Sequence, residues 1–138
     1  PCTTMSNAIV GALRHLGVRR VAVATAYIDE VNQHLRKYLE QSDFEPLALE
    51  GLSISDVKAV GEVPTRVLVD LCLKVFEAQP GADGILISCG GLVTLDAVRE
   101  VETRLRVPVV SSSPAGFWDL VGTAGLDPRV PGQGRLFA

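Results

Sequence analysis

The sequence predicts an α/β fold: a Rossmann-like parallel four-stranded sheet flanked by helices. Two observations predict it. Helically spaced apolar stripes alternate with short strand-like runs, in the order helix and then three or four strand–helix units. The strongest runs, residues 20–25 (RVAVAT) and 83–88 (DGILIS), are apolar along their length, as strands covered on both faces are. A chain of 138 residues suffices for one domain with a real core.

The first helix carries Met5, Ile9, Ala12, Leu13 and Leu16 on one stripe. Thr3, Thr4 and Ser6 offer N-caps, and Gly17 closes it. The run 20–25 follows as a buried strand. Residues 28–41 repeat Val31, Leu35, Tyr38 and Leu39 at helical spacing. Residues 44–49 form a weaker strand, placed at an edge by Pro46. Residues 51–64 read as a loop with one helical turn over 56–60. A long amphipathic helix spans 65–78, with Val69, Cys72, Leu73 and Phe76 inward, and Pro80-Gly81 stops it. The run 83–88 ends in the small-residue turn Cys89-Gly90-Gly91. A helix over 94–105, with Thr94 as its cap, leads to a strand over 107–111. Ser113-Pro114 opens a last helix through Ala124, proline being suited to a first turn. The Gly- and Pro-rich tail 125–138 is expected to pack irregularly.

Composition removes several classes of function. The net charge is -3, and the basic residues are scattered, with Arg19-Arg20 the tightest pair. A nucleic-acid partner calls for a basic stripe with stacking aromatics, and neither is present. No apolar run is long enough to cross a bilayer, and no secretory signal pattern opens the chain. Cys2, Cys72 and Cys89 are odd in number and irregularly spaced, which argues against a disulfide framework and for a reducing cytoplasm. With no CxxC and no His-x-x-x-His, no metal site is expected.

Ligands of such sheets sit at the carboxyl ends of strands, which singles out Tyr27 and Cys89. Cysteine is often only a small core hydrophobe, the reading given to Cys72 on its helix face. Cys89 stands between a buried strand, two glycines and a helix start, where amide N–H groups favour an anion and favour thiolate over thiol. Nucleophilic catalysis would want a histidine beside it, yet His15 and His34 both fall mid-helix. Proton transfer to or from carbon needs only a placed thiol and anion-binding donors. The glycine turn could supply the donors and Tyr27 a hydroxyl; Tyr27 reads equally as a rim aromatic with its hydroxyl in water. The segment 89–92 has neither GxGxxG nor a GK[ST] ending, which makes a nucleotide-loop reading weak.

Three stretches, 84–96 (GILISCGGLVTLD), 107–119 (VPVVSSSPAGFWD) and 17–32 (GVRRVAVATAYIDEVN), resemble the arylmalonate decarboxylases of the aspartate/glutamate racemase superfamily. The segments 1–6 (PCTTMS) and 134–137 (GRLF) fit the same pattern, so the resemblance covers essentially the whole chain. It implies a two-domain racemase-like fold of which residues 1–138 are one α/β domain, the C-terminal part, with 1–17 and 113–138 packing toward the other domain. It also implies cofactor-free decarboxylation of α-aryl-α-methylmalonates to α-arylpropionates. Cys89 is then the proton donor to an enediolate, Gly90 gives a backbone N–H and Tyr27 a hydroxyl to the oxyanion pocket, and Val57 and Val60 line an apolar pocket. Without the resemblance, Val57 and Val60 read equally as ordinary packing under a loop. The expected partner is a small dicarboxylate, the expected state a monomer or weak homo-oligomer, and the half alone is expected to be inactive. Two alternatives stay open: a two-cysteine amino-acid racemase or maleate cis–trans isomerase of the superfamily, and a non-catalytic anion-binding domain. Glutamate racemases often carry Thr-His after the second cysteine, where this chain has Gly90-Gly91.

Overall fold

The computed structural model describes residues 2–138; Pro1, at the head of the matching segment 1–6, lies outside them. The described residues form β1 (Arg20–Thr25), β2 (Glu45–Gly51), β3 (Gly84–Ser88) and β4 (Val109–Ser111), joined in one parallel sheet in the order β2-β1-β3-β4. The helices are α1 (Met5–His15), α2 (Asp29–Gln41), α3 (Val57–Gly61), α4 (Thr65–Ala78), α5 (Leu95–Leu105) and α6 (Ser112–Thr123), and Arg135–Phe137 make a 3-10 turn. The chain enters at β1, steps out to the edge strand β2, returns over β1 to β3 and continues to β4. The direction of winding therefore reverses between β1 and β3, which opens a crevice at their carboxyl ends.

Strand alternation divides the core into two layers. Ala22, Ala24, Ile85, Ile87 and Val109 meet Leu68, Val69, Cys72 and Val75 of α4 and Ala97, Val98 and Val101 of α5. On the opposite face, Val21, Val23, Leu86 and Val110 meet Ile9 and Leu13 of α1, Leu39 of α2 and Ala115 of α6. With both faces covered, every residue of β3 is buried, which is why its sequence is an unbroken apolar run.

Most element ends follow the expected local chemistry. The Thr4 hydroxyl accepts the Asn7 N–H at 3.1 Å at the start of α1. At its far end the Val18 N–H reaches the Leu13 carbonyl and Gly17 takes φ 72°, a Schellman closure. Pro46 lies on the edge strand as expected, and the register slips beside it: Val21 pairs with Pro46 but Ala22 with Ala48, skipping Leu47.

Three expectations need correction. Thr94 precedes α5 but caps nothing; its hydroxyl donates instead to Ser111 Oγ at 2.9 Å. Val31 is exposed, because Asn32 turns inward to a buried hydrogen bond and rotates the helix stripe to Leu35, Tyr38 and Leu39. Strand β4 begins only at Val109: Pro108 has no N–H to give a ladder, and its carbonyl alone accepts from Ile85. The tail is irregular and packed, as expected: Leu136 and Phe137 are buried in the second layer and Glu102 accepts the Arg135 N–H at 3.0 Å.

Candidate active site

Strands β1 and β3 end in register, Thr25 beside Ser88, and the chain carries Tyr27 and Cys89 just past that line. Alternation sends their neighbours to opposite faces. Ser88 continues the side of Leu86, and Cys89 returns to the side of Ile85 and Ile87, where it packs half-buried against the layer that contains Val60.

Cys89 adopts φ 151°, outside the backbone regions that a residue with a Cβ occupies freely. The two glycines after it do not take positive φ. The unusual φ thus falls on the cysteine, and Gly91 serves closeness. A Cβ on Gly91 would lie 3.0 Å from Val60 Cγ1 and 4.0 Å from Cys89 Sγ, so the missing side chain lets Val60 and the thiol share one corner. The Cys89 carbonyl accepts the Leu92 N–H at 3.2 Å and turns the chain toward α5. Gly90 and Gly91 are exposed, and among the described residues no acceptor lies against either N–H.

Tyr27 is held by a buried polar knot. The Thr25 hydroxyl donates to Asn32 Oδ1 at 2.6 Å and accepts the Tyr27 N–H at 3.1 Å, while Asn32 Nδ2 donates to the Tyr27 carbonyl at 3.4 Å. Gly51 passes so near that a Cβ would fall 2.2 Å from the Tyr27 carbonyl oxygen. Beyond this knot the Ser88 hydroxyl donates to the Tyr27 hydroxyl at 3.4 Å. Both open on a cleft of about 330 Å³ that also has Gly90, Ser112, Met5 and His34 on its walls. His34, read from the sequence as remote from any strand end, reaches this cleft because α2 starts immediately after Tyr27.

The structure therefore brings Tyr27 and Gly90 together in the cleft, whereas Cys89 is not among the residues that line it and packs with Val60 on the side of Ile85 and Ile87. Val57 is 83% exposed and three residues before Val60 on the same short helix, so among the described residues it packs under nothing. Cys72 is fully buried, and burial pushes its thiol up to about 12, an unreactive core cysteine. Sequence reasoning missed Ser112 and Ser113. The readable signal was the run Ser111-Ser112-Ser113, small hydroxyls at a strand end across from the glycine turn. Among the described residues no three His, Cys, Asp or Glu side chains gather as a metal site, and no helix is long and apolar enough to cross a membrane.

The family model for arylmalonate decarboxylase matches residues 1–137. The chain belongs to that family. It is 59% identical over 138 residues to the arylmalonate decarboxylase of Bordetella bronchiseptica, covering 99% of this chain and 58% of the relative. A liganded mutant of arylmalonate decarboxylase superposes with a TM-score of 0.97 at 59% identity, over 99% of this chain and 59% of that one. The maleate isomerase of Nocardia farcinica is 29% identical over 132 residues, covering 95% of this chain and 52% of its own length. The chain thus spans a little over half of these relatives, and its fold is one α/β unit of the racemase-like architecture they share.

Proposed function

We propose that this chain is the cysteine-bearing half of a cofactor-free carboxy-lyase that converts α-aryl-α-methylmalonates to α-arylpropionates. The observation that carries the reading is the place of Cys89: half-buried just past the carboxyl end of β3 where the sheet changes direction, packed with the layer of Val60, and one residue from Ser88 and Gly90, which line the cleft that holds Tyr27.

Such a site separates the two carboxylates of a malonate. One is held by the Gly90 N–H and the Tyr27 hydroxyl, groups preorganised for negative charge. The other faces Val57 and Val60, whose hydrocarbon gives its charge no solvation; breaking the carbon–carbon bond expels it as neutral carbon dioxide and removes that penalty. The electron pair left behind spreads onto the retained carboxyl as an enediolate. Cys89 Sγ gives its proton to the α-carbon from one face, leaving a thiolate that solvent reprotonates. Solved relatives fit a working cysteine. One arylmalonate decarboxylase structure carries a cysteine-to-serine change together with a glycine-to-cysteine change, and one maleate isomerase structure holds a covalently bound succinylcysteine intermediate.

A second reading, a two-cysteine isomerase or racemase, draws on the maleate isomerase matches. It needs a cysteine facing Cys89. Within the chain Cys72 is sealed in the core and Cys2 is exposed ahead of α1, so the partner thiol would have to come from the other half of the fold.

The remaining features of the proposal are coarser. Residues 1–17 and 113–138 are proposed to face the second domain. Exposed Phe117 and Leu120 on α6 support this, as does a groove of about 540 Å³ lined by Leu92, Val93, Phe117 and Val130. The partner is a small dicarboxylate, with no nucleic acid, in keeping with the net charge of -3. Free Cys2, Cys72 and Cys89 suit a reducing cytoplasm, with the enzyme a monomer or weak homo-oligomer. The test is Cys89→Ala in the full-length enzyme given an α-aryl-α-methylmalonate. Arylpropionate release is expected to vanish, and undiminished release overturns the assignment.

A further inference from the structure

The Cys89 turn is stitched to the start of α6 by consecutive serines. The Cys89 N–H donates to Ser112 Oγ at 3.2 Å, and the Ser113 hydroxyl donates to the Gly90 carbonyl at 2.9 Å. One residue earlier, Ser111 Oγ accepts from Thr94, which closes the far end of the same loop onto the same segment. Ser111 and Ser112 are 1% and 2% exposed, whereas Ser113 is exposed.

Together with the Leu92 N–H on the Cys89 carbonyl, the stitches occupy the polar backbone groups on either side of the Gly90 N–H, which itself has no acceptor among the described residues. They also grip both peptides flanking Cys89 Cα and Gly90 Cα, the place where φ 151° must be held against relaxation. A turn held only by its own chain would relax toward ordinary φ and swing both the thiol and the Gly90 N–H.

We propose that Ser112 and Ser113 are positioning residues: they fix the Cys89-Gly90 turn so that the thiol and the Gly90 N–H address one bound carboxylate substrate from set directions. This rests on the decarboxylase reading above. The consequence is stereochemical. A proton delivered from one fixed direction gives one enantiomer of the product, and a turn free to swing delivers from more than one. Loosening the clamp is therefore expected to lower enantiomeric purity and turnover together, while affinity for the substrate, set by the apolar pocket and Tyr27 as well, changes less.

The experiment compares Ser112→Ala, Ser113→Ala and Ser113→Thr in the full-length enzyme with an α-aryl-α-methylmalonate. It reads kcat, KM and product enantiomeric excess, and follows exchange of the Cys89 amide by NMR. Ser113 is exposed, so its variants test the clamp even where Ser112→Ala folds poorly. The clamp predicts that kcat falls about tenfold in both alanine variants. It also predicts a lowered enantiomeric excess, KM within about threefold, recovery in Ser113→Thr, and faster exchange of the Cys89 amide in Ser112→Ala. Wild-type enantiomeric excess and kcat in both alanine variants would overturn it. If the unaltered enzyme releases no arylpropionate, the failure belongs to the decarboxylase reading. The clamp is then decided by the amide: accelerated exchange in Ser112→Ala upholds it, and unchanged exchange overturns it.

Discussion

Thr25 Oγ1 donates to Asn32 Oδ1 across 2.6 Å, and the two residues are 0% and 5% exposed. This buried pair joins the last residue of β1 to the first turn of α2 and carries the Tyr27 backbone between them. It is the reason a tyrosine in a loop has a defined place at the strand ends.

Asn32→Ala leaves the Thr25 hydroxyl and the Tyr27 carbonyl without their partner. A buried group deprived of its hydrogen bond costs about 1–3 kcal/mol. Urea unfolding should show that loss with an unchanged m-value. Asn32→Ser, which restores some hydrogen-bonding capacity in less space, should recover part of it.

Two glycines near the site should respond differently to alanine. At Gly51 the new Cβ would lie 2.2 Å from the Tyr27 carbonyl oxygen and 2.6 Å from Asn32 Nδ2, and the backbone cannot rotate out of the way. Gly51→Ala should cost at least about 3 kcal/mol, the upper range for overpacking. At Gly91 the obstacle is Val60 Cγ1 at 3.0 Å, a side chain that can shift. Gly91→Ala should cost about 1 kcal/mol. Equal midpoints for the two variants in chemical denaturation would contradict the contrast.

Cys72 gives stability a pH dependence. Burial raises its thiol from the ordinary 9.0 to about 12, with no charged neighbour contributing. The folded chain keeps the proton where the unfolded chain has lost it. The stabilisation is therefore fully present below pH 9 and is lost as pH rises from 9 toward 12, by about 1.4 kcal/mol per pH unit. Cys72→Ala removes this dependence. The stability gap between wild type and variant should narrow from pH 8 to pH 10.5, and a constant gap would contradict the assignment. In the native state Cys72 should resist iodoacetamide while exposed Cys2 reacts.

Glu102 fastens the C-terminal tail. Its carboxylate accepts the Val109 N–H through Oε1 and the Arg135 N–H through Oε2, each at 3.0 Å, and the residue is 8% exposed. Glu102→Ala strands a buried N–H at the start of β4 and frees the turn that carries Leu136 and Phe137. A loss of about 2–3 kcal/mol is expected, because hydrogen bonds to charged groups are the stronger ones. Limited proteolysis should then cut the tail first. Glu102→Gln keeps one good acceptor oxygen and should fall between.

The strand and helix pattern was legible because it is local. Apolar residues at helical spacing named α1, α2 and α4, and the continuous run before Cys89 named β3 as central. Pro46 gave away the edge strand, since a residue without an N–H cannot serve both neighbours. The same local logic put a thiol at a strand end before a glycine pair. It failed at Thr94 and Asn32, whose polar side chains were drawn to partners on other elements. A capping propensity or a helix stripe yields when a buried hydroxyl or amide must be satisfied.

By itself, then, the sequence determined the succession of elements, the parallel sheet and the place of Cys89 along the chain, all set by spacing over a few residues. Tertiary structure decided the rest: that the unusual φ falls on Cys89, that Val60 sits against Gly91, and that Tyr27 and Ser88 share a cleft. It also decided that Ser112, 23 residues further along, holds the Cys89 N–H. The cause is the winding of the sheet, which makes neighbours of β1, β3 and the start of α6, and no periodicity within any one of them encodes that meeting.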